Sequence, residues 1–142
     1  TNAVHTAHSI GIERPKVALV CPVETVNPRI VSTTDASQLV FLQKQTTIFT
    51  DAIIEGPFGI DVALSAAAAQ IKGMSGEVPG DADILVFGNI DAANATYKAF
   101  LSVPHVLSAG MVVGATLPII LTSRSESMET RLSSIRLALS IT

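Results

Sequence analysis

Residues 16–23 read K-V-A-L-V-C-P-V. A single charge opens an unbroken apolar run that stops at a proline. An alternating pattern would leave one face in water, whereas this run wants both faces covered, as in a strand of a parallel sheet. Upstream, residues 2–10 have helical character and stop at Gly11, with Pro15 closing the gap. Downstream, Asn27-Pro28 marks a loop, and Thr33 or Thr34 is placed to cap a helix reaching Lys44, with Asp35 in its first turn. Residues 46–55, rich in Thr, Ile and Phe, read as a second strand punctuated by Gly56-Pro57. Residues 61–72 read as one helix with an alanine-rich centre. Residues 82–87 (A-D-I-L-V-F) are a third strand, and Asp91 is a natural cap for a helix to Leu101. Residues 111–113 and 117–121 read as short strands, and Ser123 to Ser127 opens a last helix ending near Leu139.

Strands therefore alternate with helix-length crossovers. That order specifies a three-layer α/β fold with a mostly parallel sheet and right-handed connections, in a single domain over residues 1–142. Composition agrees. Hydrophobic residues make up 48% and charged residues 15%, and at 4% aromatic the core must be built from Val, Ile, Leu and Ala. So few charges predict buried helices, an oligomer interface or a missing partner domain. The net charge of −3 has no basic or acidic block, which gives no case for nucleic acid or a membrane surface. Residues 99–123 lack Asp, Glu, Lys and Arg, but Pro104, Gly110, Gly114 and Pro118 break the stretch, so it reads as a helix end, a turn and buried strands. The one cysteine, Cys21, cannot form an internal disulfide; it reads as a small core residue, and with no signal peptide the expected location is cytoplasmic. The chain begins at Thr1, which is read as a fragment or a processed product.

Ligands of open α/β sheets sit beyond the carboxyl ends of the strands. Four segments with polar or glycine character fall there and are expected along one edge. They are Glu24 to Asn27, Gly56-Pro57 to Asp61, Gly88 to Asn94 with Tyr97-Lys98, and Thr122 to Ser125. Ser123-Arg124 precedes a helix start, where free N–H groups favour an anion and an arginine holds phosphate with two parallel hydrogen bonds. Asn94 and Lys98, four apart, share a helix face. Each has a plainer reading. Ser123 and Glu126 have capping-box spacing; Asn94 and Lys98 lie on a solvated face; Gly56-Pro57 is a turn; Asp61 is an N-cap; Glu24 pairs with a nearby base. His5 and His8 lack a third ligand, and His105 lacks a partner, so no metal site is expected.

Taken together, the segments K-V-A-L-V-C-P-V-E-T-V-N-P-R (16–29), E-G-P-F-G-I-D (55–61), G-D-A-D-I-L-V-F (80–87), A-N-A-T-Y-K (93–98) and P-I-I-L-T-S-R-S-E-S (118–127) resemble the second half of the phosphate acetyl/butyryltransferases, nearer the butyryl branch. The resemblance covers nearly the whole chain. It implies one half of a two-domain fold shared with isocitrate and isopropylmalate dehydrogenases, usually a homodimer. It implies the reaction acyl-CoA plus phosphate to acyl phosphate plus CoA, with coenzyme A as substrate, no permanently bound cofactor and no metal. By the same resemblance Arg124 binds phosphate and Ser123 stabilises the developing oxyanion, while Asn94, Tyr97 and Lys98 match the family's Gly-Asn-x-x-Tyr-Lys motif; Glu24, Asn27, Gly56, Pro57 and Asp61, at the strand ends, are the further substrate-binding candidates. The family usually has Pro-Asp in place of Gly88-Asn89 and Gly in place of Ala93, and the acetyl branch has a catalytic Asp at the position of Thr130. The base is then Glu126, Glu129 or a residue elsewhere, or the CoA thiolate needs little help. Family members are roughly double this length, so the other wall of the cleft belongs to a missing amino-terminal half. The last helix, residues 126–140, is expected to pack on that half through Met128, Leu132, Ile135 and Leu139. The alternatives are a non-catalytic CoA- or phosphate-binding or dimerisation domain derived from the family, or a dehydrogenase-like relative on the same fold.

Overall fold

The computed structural model describes residues 1–49, 51–124 and 126–141. Its centre is a parallel sheet of three strands, β1 (Lys16–Val20), β2 (Ile53–Phe58) and β3 (Ile84–Phe87), in the order β2-β1-β3. The stretch that opened the sequence thus lies in the middle, paired on both sides: Val17 faces Ile54 and Ile84. Its apolar run divides between two cores. Val17, Leu19 and Cys21 join Val4, Ala36 and Ile54 on one face, and Ala18 joins Phe58, Val62 and Val78 on the other. A two-sided strand needs an apolar residue at every position, which is why no alternation is visible.

Helices α1 (Asn2–Ser9) and α2 (Val31–Gln45) supply the first core, and α3 (Ile60–Leu64) and α4 (Ala66–Ile71) the second. The chain is therefore helix on sheet on helix, an α/β fold of three layers. Helices α5 (Ile90–Leu101) and α6 (Met128–Ser140) follow β3.

Several boundaries differ from those expected. Helix α2 starts at Val31, ahead of Thr33 and Thr34. Thr33 is fully buried and its hydroxyl serves the loop, accepting from the Asn27 N–H at 2.9 Å. Asp35 consequently lies beyond the first turn. Strand β2 begins only at Ile53 and runs through Gly56-Pro57 rather than ending there. Pro57 is tolerated because β2 is an edge strand, where a missing N–H costs no ladder bond. Gly56 is required: at φ 146° a side chain is strained, and a Cβ would lie 2.8 Å from that of Leu19.

The helix expected over residues 61–72 is split at Ser65. The N–H groups of Gly80 and Ala82 take the carbonyls of Val62 and Ala63 at 2.8 and 3.2 Å. With those carbonyls committed, the helix stops, and Ser65 caps a new one by accepting from the Ala68 N–H. Asn89, not Asp91, caps α5, its side-chain oxygen accepting from the Ala92 N–H at 2.9 Å. The strands expected at 111–113 and 117–121 amount, among the described residues, to one antiparallel bridge between Val112 and Ile119. Ser123 lies ahead of α6, which is capped by Ser127.

Helix α6 rests on its small residues Thr130, Ser134 and Ala138. Its apolar stripe, Met128, Leu132, Ile135 and Leu139, points outward and is 44–72% exposed. Ser134 explains the choice of face: its hydroxyl accepts from the Gly110 N–H at 2.9 Å and donates to the Thr130 carbonyl at 2.8 Å.

Candidate acyl-transfer site

Helix α5 positions the first part of the site. Asn89 fixes its start, and Asn94 and Lys98 then fall on one face, a turn apart. The segment after the 112–119 bridge brings Thr122, Ser123 and Arg124 to that face. Together with Tyr97, Gly110, Met111 and Glu126 they line an open cavity of about 540 Å³. The Lys98 ammonium donates to the Ser123 hydroxyl at 3.5 Å and lies 5.8 Å from the centre of the Tyr97 ring. The Tyr97 hydroxyl donates to a Glu126 carboxylate oxygen at 3.1 Å. Arg124 is exposed. Two cations, three hydroxyls, an amide and one carboxylate thus border one pocket, and the cations with the Ser123 hydroxyl and the Asn94 amide are a set suited to an anion beside a polarised carbonyl.

The anion site expected at a helix N-terminus is not formed by Ser123 itself. Because α6 starts at Met128, the Ser123-Arg124 pair is carried by a turn, closed by the Glu126 N–H donating to the Ser123 carbonyl at 3.2 Å. The cations of the pocket have to supply the attraction that the helix dipole was expected to give.

The four segments do not share one site. Glu24 and Asp61 are drawn to Lys72, whose ammonium lies 2.8 Å from Glu24 Oε1 and 3.0 Å from Asp61 Oδ2. Glu24 also accepts from the Gly59 N–H at 3.3 Å. The Lys72 ammonium holds both carboxyls below their usual range, and the two carboxylates hold Lys72 above its own. This cluster pins the end of β1 to the β2–α3 connection. Asn27 closes a turn, its side-chain oxygen accepting from the Arg29 N–H at 3.0 Å. Gly56 and Pro57 lie inside β2.

A second cavity, of about 500 Å³, does sit at the carboxyl ends of the strands, lined by Val20, Cys21, Phe87, Gly88, Asn89, Ala92 and Thr96 among others. Ala92 and Thr96 are two residues from Asn94 and Lys98, and two residues turn a helix by about 200°. The two cavities therefore lie on opposite sides of α5. Among the described residues no group of three or more His, Cys, Asp and Glu is arranged to hold a metal ion. No helix among them is long and apolar enough to cross a membrane.

Two features were not legible in the sequence. Lys72 is 48 residues from Glu24, and nothing in the spacing links them. Glu126 was visible as a capping-box member and as a possible base, but its bond to Tyr97 depends on a contact across 29 residues.

The family model for phosphate acetyl/butaryl transferase matches residues 1–139. A phosphate butyryltransferase of Clostridium acetobutylicum is 44% identical over 137 residues, covering 96% of this chain and 45% of the relative. A phosphate acetyltransferase of Thermotoga maritima is 39% identical over 137 residues, covering 96% of this chain and 46% of the relative. Among solved structures, a branched-chain phosphotransacylase from Enterococcus faecalis superposes with a TM-score of 0.86 at 36% identity, covering 99% of this chain and 50% of that one. The chain thus spans about half the length of the relatives it matches. With the parallel sheet and these likenesses in agreement, the chain belongs to the phosphate acetyl/butaryl transferase family.

Proposed function

We propose that this chain supplies one wall of an acyltransferase site that moves a short acyl group between coenzyme A and inorganic phosphate. The observation that carries the reading is the convergence of Lys98, Asn94, Ser123 and Arg124 on one cavity. In this reading Arg124 and Lys98 hold the phosphate, Arg124 through paired hydrogen bonds and Lys98 as a point charge. The CoA thiolate attacks the acyl carbonyl, and oxyanion charge develops. The Ser123 hydroxyl donates to that oxygen and Asn94 polarises it. Collapse of the intermediate expels phosphate in one direction and CoA in the other. Glu24, Asn27, Gly56, Pro57 and Asp61, the other substrate-binding candidates, are not among the residues lining this cavity.

A further segment of similar size completes the cleft. The exposed stripe of α6 supports this, because an apolar face of four long side chains is covered in most stable proteins. The assembled enzyme is a cytoplasmic homodimer in this reading. The test is phosphate-dependent release of CoA from short acyl-CoA by the full-length protein. Arg124→Ala should abolish it, and near-normal activity in that variant would sink the assignment.

The same stripe also favours a second reading, a non-catalytic binding or dimerisation domain. Calorimetric titration separates the two. No heat with CoA or phosphate at millimolar concentration supports the second, and binding lost in Arg124→Ala supports the first.

A further inference from the structure

Tyr97 and Lys98 are adjacent on α5, and each holds one end of the same turn. Lys98 reaches Ser123 at 3.5 Å. Tyr97 reaches Glu126 at 3.1 Å. The turn between them is closed by the Glu126 N–H on the Ser123 carbonyl at 3.2 Å. The Tyr97 hydroxyl has one proton. That proton is directed at two acceptors, the Glu126 carboxylate and, 3.3 Å away, the Ser108 hydroxyl. Ser108, Tyr97 and Glu126 thus form a short chain of hydrogen bonds joining three separate segments.

The Glu126 carboxylate gains little for itself in this position. Its Oε2 is buried and has no hydrogen-bond partner among the described residues. A carboxylate retained only to solubilise or cap a loop would keep both oxygens in water, since burying an unpaired one is costly. What the arrangement secures is the placement of the turn.

We propose that Glu126 is a positioning residue which, held by Tyr97, sets the Ser123-Arg124 turn against α5. The proposal rests on the acyl-transfer reading for its effect on rate, and on the hydrogen bonds alone for its effect on the turn. If Glu126 fixes the turn, losing the tether misplaces Ser123 and Arg124 relative to Lys98 and Asn94. A displacement of that kind lowers turnover by up to about a hundredfold.

The test uses the full-length protein and the variants Tyr97→Phe, Glu126→Ala and Glu126→Gln. Tyr97→Phe keeps the ring, and Glu126→Gln keeps an acceptor oxygen at the same reach, so folding is preserved in both. Tyr97→Phe and Glu126→Ala should each lower kcat by about tenfold to a hundredfold with smaller changes in KM, and the double variant should be no worse than the slower single one. Glu126→Gln should stay within about threefold of wild type, because a neutral oxygen still accepts from Tyr97. Hydrogen exchange at the Glu126 amide gives a readout independent of activity, and it should accelerate in Tyr97→Phe relative to amides of α4. Wild-type turnover in Tyr97→Phe, multiplying losses in the double variant, or unchanged amide exchange would each overturn the proposal. So would a Glu126→Gln as slow as Glu126→Ala, which would assign the carboxylate a charge or proton-transfer role. A wild-type protein without transfer activity would refute the functional reading alone, and the amide exchange would still decide the tether.

Discussion

The Lys98 ammonium lies 3.5 Å from the Ser123 hydroxyl, although 25 residues separate them in sequence. This contact joins helix α5 to a turn outside any helix, and it defines the two sides of the cavity. It also places a fixed positive charge next to the hydroxyl assigned to the oxyanion. Such a charge favours a developing negative charge without any rearrangement during the reaction.

Removing either partner should separate two roles. Ser123→Ala should lower kcat by about a hundredfold to a thousandfold, the usual cost of losing one oxyanion donor. Lys98→Met should act mainly by raising the KM for phosphate, since the lysine contributes attraction for the anion. Steady-state kinetics with varied phosphate distinguishes the two. A Lys98→Met variant with unchanged KM would remove the lysine from the phosphate site.

The Glu24–Lys72–Asp61 cluster predicts a particular pH dependence of stability. Lys72 holds both carboxyls below their ordinary values of 4.5 and 3.8. The unfolded chain therefore takes up these protons more readily, and the stabilisation is present above the ordinary range and lost as pH falls through the lowered values. Lys72 is raised above 10.5, so its share is present below that pH and lost above it. Lys72→Met should lower the melting temperature slightly at neutral pH, because the pairs are partly exposed and screened by solvent. Melting curves below pH 3.8 should show the difference closing. A difference that stays constant with pH would mean that the pairs do not stabilise the fold.

Two phenylalanines should respond in opposite ways to truncation. Phe58 is 5% exposed and packs with Val62 and Val78 beneath β2, whereas Phe41 on α2 is 62% exposed. Phe58→Ala should cost about 3–5 kcal/mol. Phe41→Ala should change stability by at most about 0.5 kcal/mol unless a further segment covers it. Urea titrations of both variants measure this. A large loss at Phe41 would show that α2 carries an interface.

Cys21 should be a quiet thiol. It is 7% exposed, its Sγ lies 3.2 Å from the Ser32 carbonyl, and burial pushes its ionisation up. An aromatic disulfide reagent at pH 8 should modify it far more slowly in the folded protein than in urea. Cys21→Ala should leave acyl transfer intact, because the residue borders the cavity on the other side of α5. Rapid modification with loss of activity would place the thiol in the site.

Layer order was legible in the chain because it follows from local pattern. The continuous run at Lys16–Val20 had to be a two-sided strand, and helix-length crossovers between strands leave a parallel sheet with helices on both faces. The cluster of Asn94, Lys98, Ser123 and Arg124 was visible as separate residues at strand and helix ends. What the tertiary structure decided was which of the candidates meet. It assigned Glu24 and Asp61 to Lys72, since a nearby cation outcompetes solvent for two carboxylates. It drew Gly56-Pro57 into an edge strand, and it ended a helix at Ser65 because a distant loop took the helix carbonyls. It also turned the apolar stripe of α6 outward, with Ser134 buried on the inner side where the Gly110 N–H donates to it. Periodicity reports which way a side chain faces within its own element. Which partner it finds there depends on contacts between residues far apart in the chain, and no spacing in the sequence encodes those distances.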